Sequence, residues 1–139
     1  MAADLTWPEL TPHLRGLASV ATVSASGGPH VAIVSPAVVD GTIWFGALRS
    51  SAKAANIAAT GTIALVWSAD GEAYVWGAAE IVDDVETKRS MWTGTWAYEP
   101  GGFFGTPDNP DYVLVRVTPQ RAMLLTAGPD GPTPSRWIA

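Results

Sequence analysis

Three turn signals, Gly27-Gly28-Pro29, Asp40-Gly41 and Asp70-Gly71, punctuate short β-rich runs and limit the possible folds more than any other feature of the chain. Asp-Gly readily supplies the positive φ angles that tight hairpin turns need. The runs on either side of each turn are therefore predicted to be antiparallel neighbours: residues 17–25 with 30–39, 30–39 with 42–48, and 62–69 with 72–82. In the last pair Ile63, Leu65 and Trp67 alternate with Thr62, Ala64 and Val66, and Tyr74 and Trp76 alternate with Ala73, Val75 and Gly77. A period of two marks strands. Both faces are only weakly polar, as expected where one fills a barrel and the other meets a partner or ligand.

Residues 51–60, SAKAANIAAT, place Ala54, Ile57 and Ala58 at helical spacing ahead of the stop signal Gly61. Asp83-Asp84 opens a second predicted helix over 85–96, its acidic start favoured by the helix dipole. An irregular loop, 98–110, follows, and residues 112–117 and 121–126, joined through Thr118-Pro119-Gln120, complete the strands. Seven short strands with two interposed helices predict a mainly β fold, an antiparallel Greek-key barrel with two or three short flanking helices. Residues 1–139 are expected to form a single domain, with a helical lead-in over 1–16 and a Gly/Pro-rich tail over 127–139 lying on the surface or on a partner.

Composition narrows the function. Apolar residues make up 47% of the chain and charged ones only 15%, low for a small monomer that must cover itself with charge, which points to a buried oligomer face. Apolar runs such as 31–39 are too short to cross a bilayer, and the first sixteen residues carry Asp4, Glu9 and two prolines where a signal peptide would be apolar, so a cytoplasmic protein without membrane contact is expected. The absence of cysteine excludes disulfides, thiolate catalysis and Cys-ligated centres. A net charge of −5, from eight basic and thirteen acidic residues, gives nucleic acid no electrostatic footprint. His13 and His30 fall in different elements, so no metal site is expected, and there is no nucleophile elbow, phosphate loop or dinucleotide-binding glycine fingerprint. Any enzymatic chemistry would be borrowed from a cofactor.

Between Gly16 and Thr87 the only Lys or Arg residues are Arg49 and Lys53, flanking Ser50-Ser51 where a strand-like run gives way to a helix-like one, and seven carboxylates share that stretch. A strand end, two hydroxyls, two cations and a helix N-terminus with exposed N–H groups together suit a phosphate. The same residues also suit a plain helix start, with Ser51 as cap and both cations solvated. The seven tryptophans suggest something flat to stack upon. Trp92 and Trp96, at i, i+4 on the predicted second helix and followed by Tyr98, Phe103 and Phe104, form the densest aromatic segment. Core packing is the competing explanation for each.

The order LASVATVSASGGPHVAIVSPAVVDGTIWFGALRSSAKAANIAATGTIALVWSADGEAYVWGAAEIVDD resembles the flavin-binding split barrels related to pyridoxamine 5′-phosphate oxidase, and FFGTPDNPDYVLVRVTP is similar to their general-stress-protein branch. The resemblance covers about residues 17–125. It implies a split-barrel homodimer that binds FMN at the subunit interface and transfers hydride to or from a small-molecule redox substrate. Ser51-Ala52-Lys53 is similar to the family's S-x-K phosphate element, with Arg49 and Ser50 beside it. Ala47 and Leu48 would run beside the ribityl chain, Val34, Ser35 and Pro36 would lie near the ring, and Trp76 and Trp96 are the candidates for ring contact. His30 stands near a position where the oxidase proper has an arginine, and the oxidase's C-terminal arginine arrangement is represented at most by Arg136, so a generic flavin reductase fits better than a vitamin B6 oxidase. Coenzyme F420 in place of FMN, a non-enzymatic flavin-binding stress module, and a dimeric interaction domain without cofactor are the alternatives.

Overall fold

The structure, a computed structural model, describes residues 4–139; the first three residues of the expected lead-in lie outside the described residues. Thr6 caps a one-turn helix, α1 (Trp7–Leu10), that continues into a 3-10 turn over Thr11–His13. Strands β1 (Ala18–Val23), β2 (Pro29–Val34), β3 (Ala37–Val39) and β4 (Thr42–Leu48) lead into helix α2 (Ala52–Thr60). Then come β5 (Thr62–Trp67), β6 (Glu72–Val82), the short helices α3 (Val85–Ser90) and α4 (Gly101–Phe104), and finally β7 (Tyr112–Thr126) and β8 (Thr133–Ile138). Among the described residues no helix is long and apolar enough to cross a membrane.

The fold is mainly β, one antiparallel sheet ordered β2-β1-β5-β6-β7-β4-β3, with β8 on β7. Its two ends, β2 and β3, are joined by Ser35-Pro36 alone. A chain advances at most ~3.6 Å per residue, so that short link forces the first and last strands of the path together and curls the sheet into a barrel. Closure is incomplete. β2 pairs only with β1, and β3 covers β4 only from Thr42 to Trp44, leaving the far half of β4 open on that side. The barrel is split there.

Alternation fixes what lies inside. Val20, Phe45, Leu65, Trp67, Val75, Val113, Val115 and Val117 point inward and form the main core with Leu10, while α2 adds Ala54 and Ile57. On the outside of β4 and β7 a second, aromatic cluster forms from Trp44, Tyr112 and Leu114, covered by Met91, Trp92, Trp96 and Phe104.

Four expectations are corrected. The run 30–39 breaks at Ser35-Pro36, because Pro36 cannot donate to a ladder. β2 consequently pairs with β1, and its expected pairing with 42–48 is replaced by that of β3 with β4. Residues 112–117 and 121–126 belong to one fifteen-residue strand. Pro119 sits where the register with β6 shifts between Trp76 and Gly77, at a bulge, and a side chain at Gly77 would come 2.4 Å from the Thr118 carbonyl oxygen. On its other edge β7 pairs with β4 through Val117 and with β8 from Arg121, so Pro119 falls in the gap between two partners and its missing N–H costs no ladder bond. Helix 85–96 stops at Ser90: the Met91 N–H makes the last α-type bond, to the Thr87 carbonyl, the Trp92 N–H donates to the Arg89 carbonyl in a 3-10-like turn, and Gly94 turns the chain at φ +81°. Trp92 and Trp96 therefore lie in irregular chain and not on one helix face. Residues 133–138 of the expected tail form β8, and the backbone N–H groups of Asp4 and Leu5 both donate to the Arg136 carbonyl at 2.9 Å.

Candidate functional site

The turn from β4 into α2 is tied from several directions. Ser51, the N-cap, accepts from the Ala54 N–H at 3.3 Å and donates its hydroxyl proton to the Leu48 carbonyl at 2.6 Å. The Ser50 N–H and hydroxyl both donate to the Asp111 carboxylate at 3.1 Å, and the Arg49 N–H donates to the Asp111 carbonyl at 2.7 Å. The buried Lys88 anchors the same stretch from below, its ammonium donating to the Tyr112 carbonyl at 2.9 Å and the Asn109 carbonyl at 3.3 Å. With the Ala54 N–H taken by Ser51 and the Ala55 N–H by the Ser51 carbonyl, the Ala52 and Lys53 N–H groups are the donors that the first turn offers outward.

This corner forms one end of a cleft of about 590 Å³ at the split in the barrel. Its floor comes from the ends of β2 and β4 where their facing edges are open, and its outer wall from Ala97, Tyr98, Phe103 and Phe104. Gly46 matters here. A Cβ at this position would lie 3.0 Å from the Phe104 ring and 3.2 Å from Tyr112, so the bare backbone lets Phe104 lie flat over β4. Tyr98, Phe103, Phe104 and Tyr112 form a continuous aromatic series, with centroids 5.3, 6.3 and 4.6 Å apart.

Of the residues expected to contact cofactor, the cleft brings together Val34, Ser35, Ala47, Leu48, Ser51 and Lys53. Lys53 is its one charged wall residue, and burial lowers the ammonium's pKa below the ordinary lysine value. Arg49 turns away to an ion pair with Asp83 at 2.7 Å, and Ser50 is spent on Asp111. Pro36 lies in the β2–β3 link and is not on the cleft wall. Trp96 packs into the aromatic cluster behind the wall. Trp76 lies on the outer face of β6, stacked with Tyr74 at 6.0 Å beneath the Arg121 guanidinium at 4.1 Å.

Three participants escaped the sequence reading. Asp111 organises the turn from β4 into α2 from 61 residues away. Leu17 and Ile33 reach the cleft from strand ends, and the signal for Ile33 was its place, with Val31, on the face opposite His30, Ala32 and Val34. Burial raises the pKa of Tyr98 to about 12, so its hydroxyl stays protonated across the physiological range.

The profile of the pyridoxamine 5′-phosphate oxidase family matches residues 12–134. The chain belongs to the pyridoxamine 5′-phosphate oxidase family. Solved structures share the fold. A protein related to general stress protein 26 from Clostridium acetobutylicum superposes with a TM-score of 0.75 at 18% identity, over 94% of this chain and 90% of that one. General Stress Protein 26 from Bacillus anthracis gives 0.68 at 21% identity, over 81% and 88%. A heme binding protein from Mycobacterium smegmatis gives 0.69 at 14% identity, over 91% of this chain and 54% of that one. No curated protein matched the sequence. For this member of the oxidase family these likenesses show the fold.

Proposed function

We propose that the protein is a flavin-dependent oxidoreductase that binds FMN in the cleft, with coenzyme F420 as the alternative on the same site. The observation that carries this reading is the convergence of Lys53, the Ser51 cap and the outward N–H groups of Ala52 and Lys53 at one end of an otherwise apolar cleft. A phosphate there would gain a charge-assisted hydrogen bond and the positive end of α2. The cleft volume falls within the ~300–1,000 Å³ usual for cofactor sites, and its apolar and aromatic walls suit a flat ring. When bound, a flavin supplies two-electron hydride chemistry. The chain's own contribution is to hold the phosphate with Lys53, to pack the ring against Leu48 and the Val34-Ser35 strand end, and to exclude water with the wall of Tyr98, Phe103 and Phe104. A heme reading has less support, since His13 bonds to the Asp70 carbonyl and neither His13 nor His30 lines the cleft.

The reading includes a homodimer. Across the outer face run two register rows, Ile33–Ser19–Val66–Tyr74 and Val31–Ala21–Ala64–Trp76. Small residues in the middle leave a shallow depression between the exposed Val31 and Ile33 and the two aromatic rings. Exposed apolar faces of this kind mark contact surfaces. Ile33 belongs both to this face and to the cleft, so a second copy seated here would also border the cofactor. Titration of the purified protein with FMN and with coenzyme F420, read by fluorescence and absorbance, is expected to show saturable binding of one of them. Binding of neither would overturn the assignment.

A further inference from the structure

Among the described residues that line the cleft, Lys53 is the only charged one, and no carboxylate accompanies it. With the cofactor phosphate at that cation, as proposed above, the wall left for a second molecule is neutral: Ile33, Leu48, Phe104, Phe103 and the ring of Tyr98. An anionic substrate would need a second cation, and the nearest, Arg49, is held by Asp83. A cationic one would find no countercharge, and an unpaired charge is costly to desolvate.

The aromatic series gives this neutral wall a direction. At its inner end Tyr112 is fully buried, and it and Phe104 pack together against Gly46. At its outer end Phe103 stays 70% exposed, standing edge-on to Tyr98 at 86°. Phe103 lies 5.3 Å from Tyr98 and 6.3 Å from Phe104, so its exposed ring offers aromatic surface on the cleft wall to whatever occupies the open side. The geometry points to Phe103 and Tyr98 as specificity-determining residues that select a neutral, planar aromatic substrate, stacked on Phe103 beside the cofactor. This rests on the cofactor reading of the cleft.

Equilibrium dialysis of the FMN-loaded protein against 2-naphthol and against 2-naphthalenesulfonate tests it, because the two probes share a ring system and differ in charge. At neutral pH the naphthol is expected to bind at least about ten-fold more tightly than the sulfonate. Phe103→Ala, at an exposed position whose truncation opens no cavity, is expected to weaken naphthol binding by roughly five- to ten-fold, a larger loss than any in FMN affinity, while leaving sedimentation unchanged. Tyr98→Leu should weaken naphthol binding in the same sense. Equal binding of the two probes, or unaltered naphthol affinity in both variants, would overturn the proposal while FMN binding stands. Dissociation of the protein by Phe103→Ala would overturn it too, by placing Phe103 in a subunit contact. Failure of the wild-type protein to take up FMN would remove the cofactor reading and this inference together.

Discussion

Lys53 and Gly77 show how single positions divide between ligand and fold. Burial without a countercharge lowers the Lys53 pKa below 10.5. Between that lowered value and 10.5 the unfolded chain holds the proton more tightly, so the stability of the ligand-free protein rises with pH through that window. Under the proposed cofactor reading phosphate binding has the opposite sign: only the ammonium would hold the anion, so FMN affinity is expected to fall as pH rises from the lowered pKa. Lys53→Met should therefore leave the melting temperature of the ligand-free protein unchanged or higher while weakening FMN binding about ten-fold or more, as expected for loss of a charge-assisted hydrogen bond. Thermal melts and fluorescence titration of one variant separate the two effects. Gly77 serves only the fold. A Cβ there meets backbone, the Thr118 carbonyl oxygen at 2.4 Å, and backbone in a paired strand cannot step aside. Gly77→Ala should cost ~1–3 kcal/mol or more and lower the melting temperature by roughly 10 °C. A melting temperature within 2 °C of wild type, on the order of the smallest shift a 1 kcal/mol change produces, would contradict the bulge geometry.

Local chemistry made some elements legible and tertiary context hid others. The Asp40-Gly41 hairpin and the α2 cap and stop were readable because each depends on a few adjacent residues: Asp40 and Gly41 have positive φ, Ser51 caps, and Gly61 ends the helix at φ +66°. The places of Ser51 at the cap and Lys53 in the first turn of α2 were readable for the same reason. Pro119 misled because a proline inside a strand is tolerated only when its neighbours leave a gap, and the gap between β4 and β8 is a property of the assembled sheet. The helix through residue 96 misled because the i, i+4 tryptophans imitate an amphipathic stripe, yet both pack on Tyr112 and Leu114 from irregular chain. Tyr98 and Phe103 meet Ile33 only through barrel closure, which no local pattern records. Since Trp96 belongs to the cluster behind the wall, Trp96→Leu is expected to lower the melting temperature by several degrees and leave FMN affinity intact. Calorimetry and titration on that variant decide, and a loss of affinity without a loss of stability would return Trp96 to the site.

At the scale of the whole molecule, the low charge of the chain and the apolar rows on β2, β1, β5 and β6 belong together, because the outward face holds the surface that charge does not cover. Val31 is 69% exposed on that face. Val31→Asp should leave the fold intact and convert the protein, by light scattering, from a dimer to a monomer near 14.6 kDa. A wild-type mass already at that value would remove the interface. The strand β7 has a different consequence, for biosynthesis. It pairs with β6 along one edge and with β4 and β8 along the other, and its bond to β4 sets Ile43 against Val117, across more than half the chain. Until β7 has left the ribosome, both β4 and β6 present open edges, and such edges template aggregation. Long-range pairings of this kind fold slowly, so the sheet stays unfinished and in need of shielding until residues 112–126 have emerged. A chain truncated before residue 112 has no partner for either edge and is expected to accumulate in the insoluble fraction, with no partly folded soluble form.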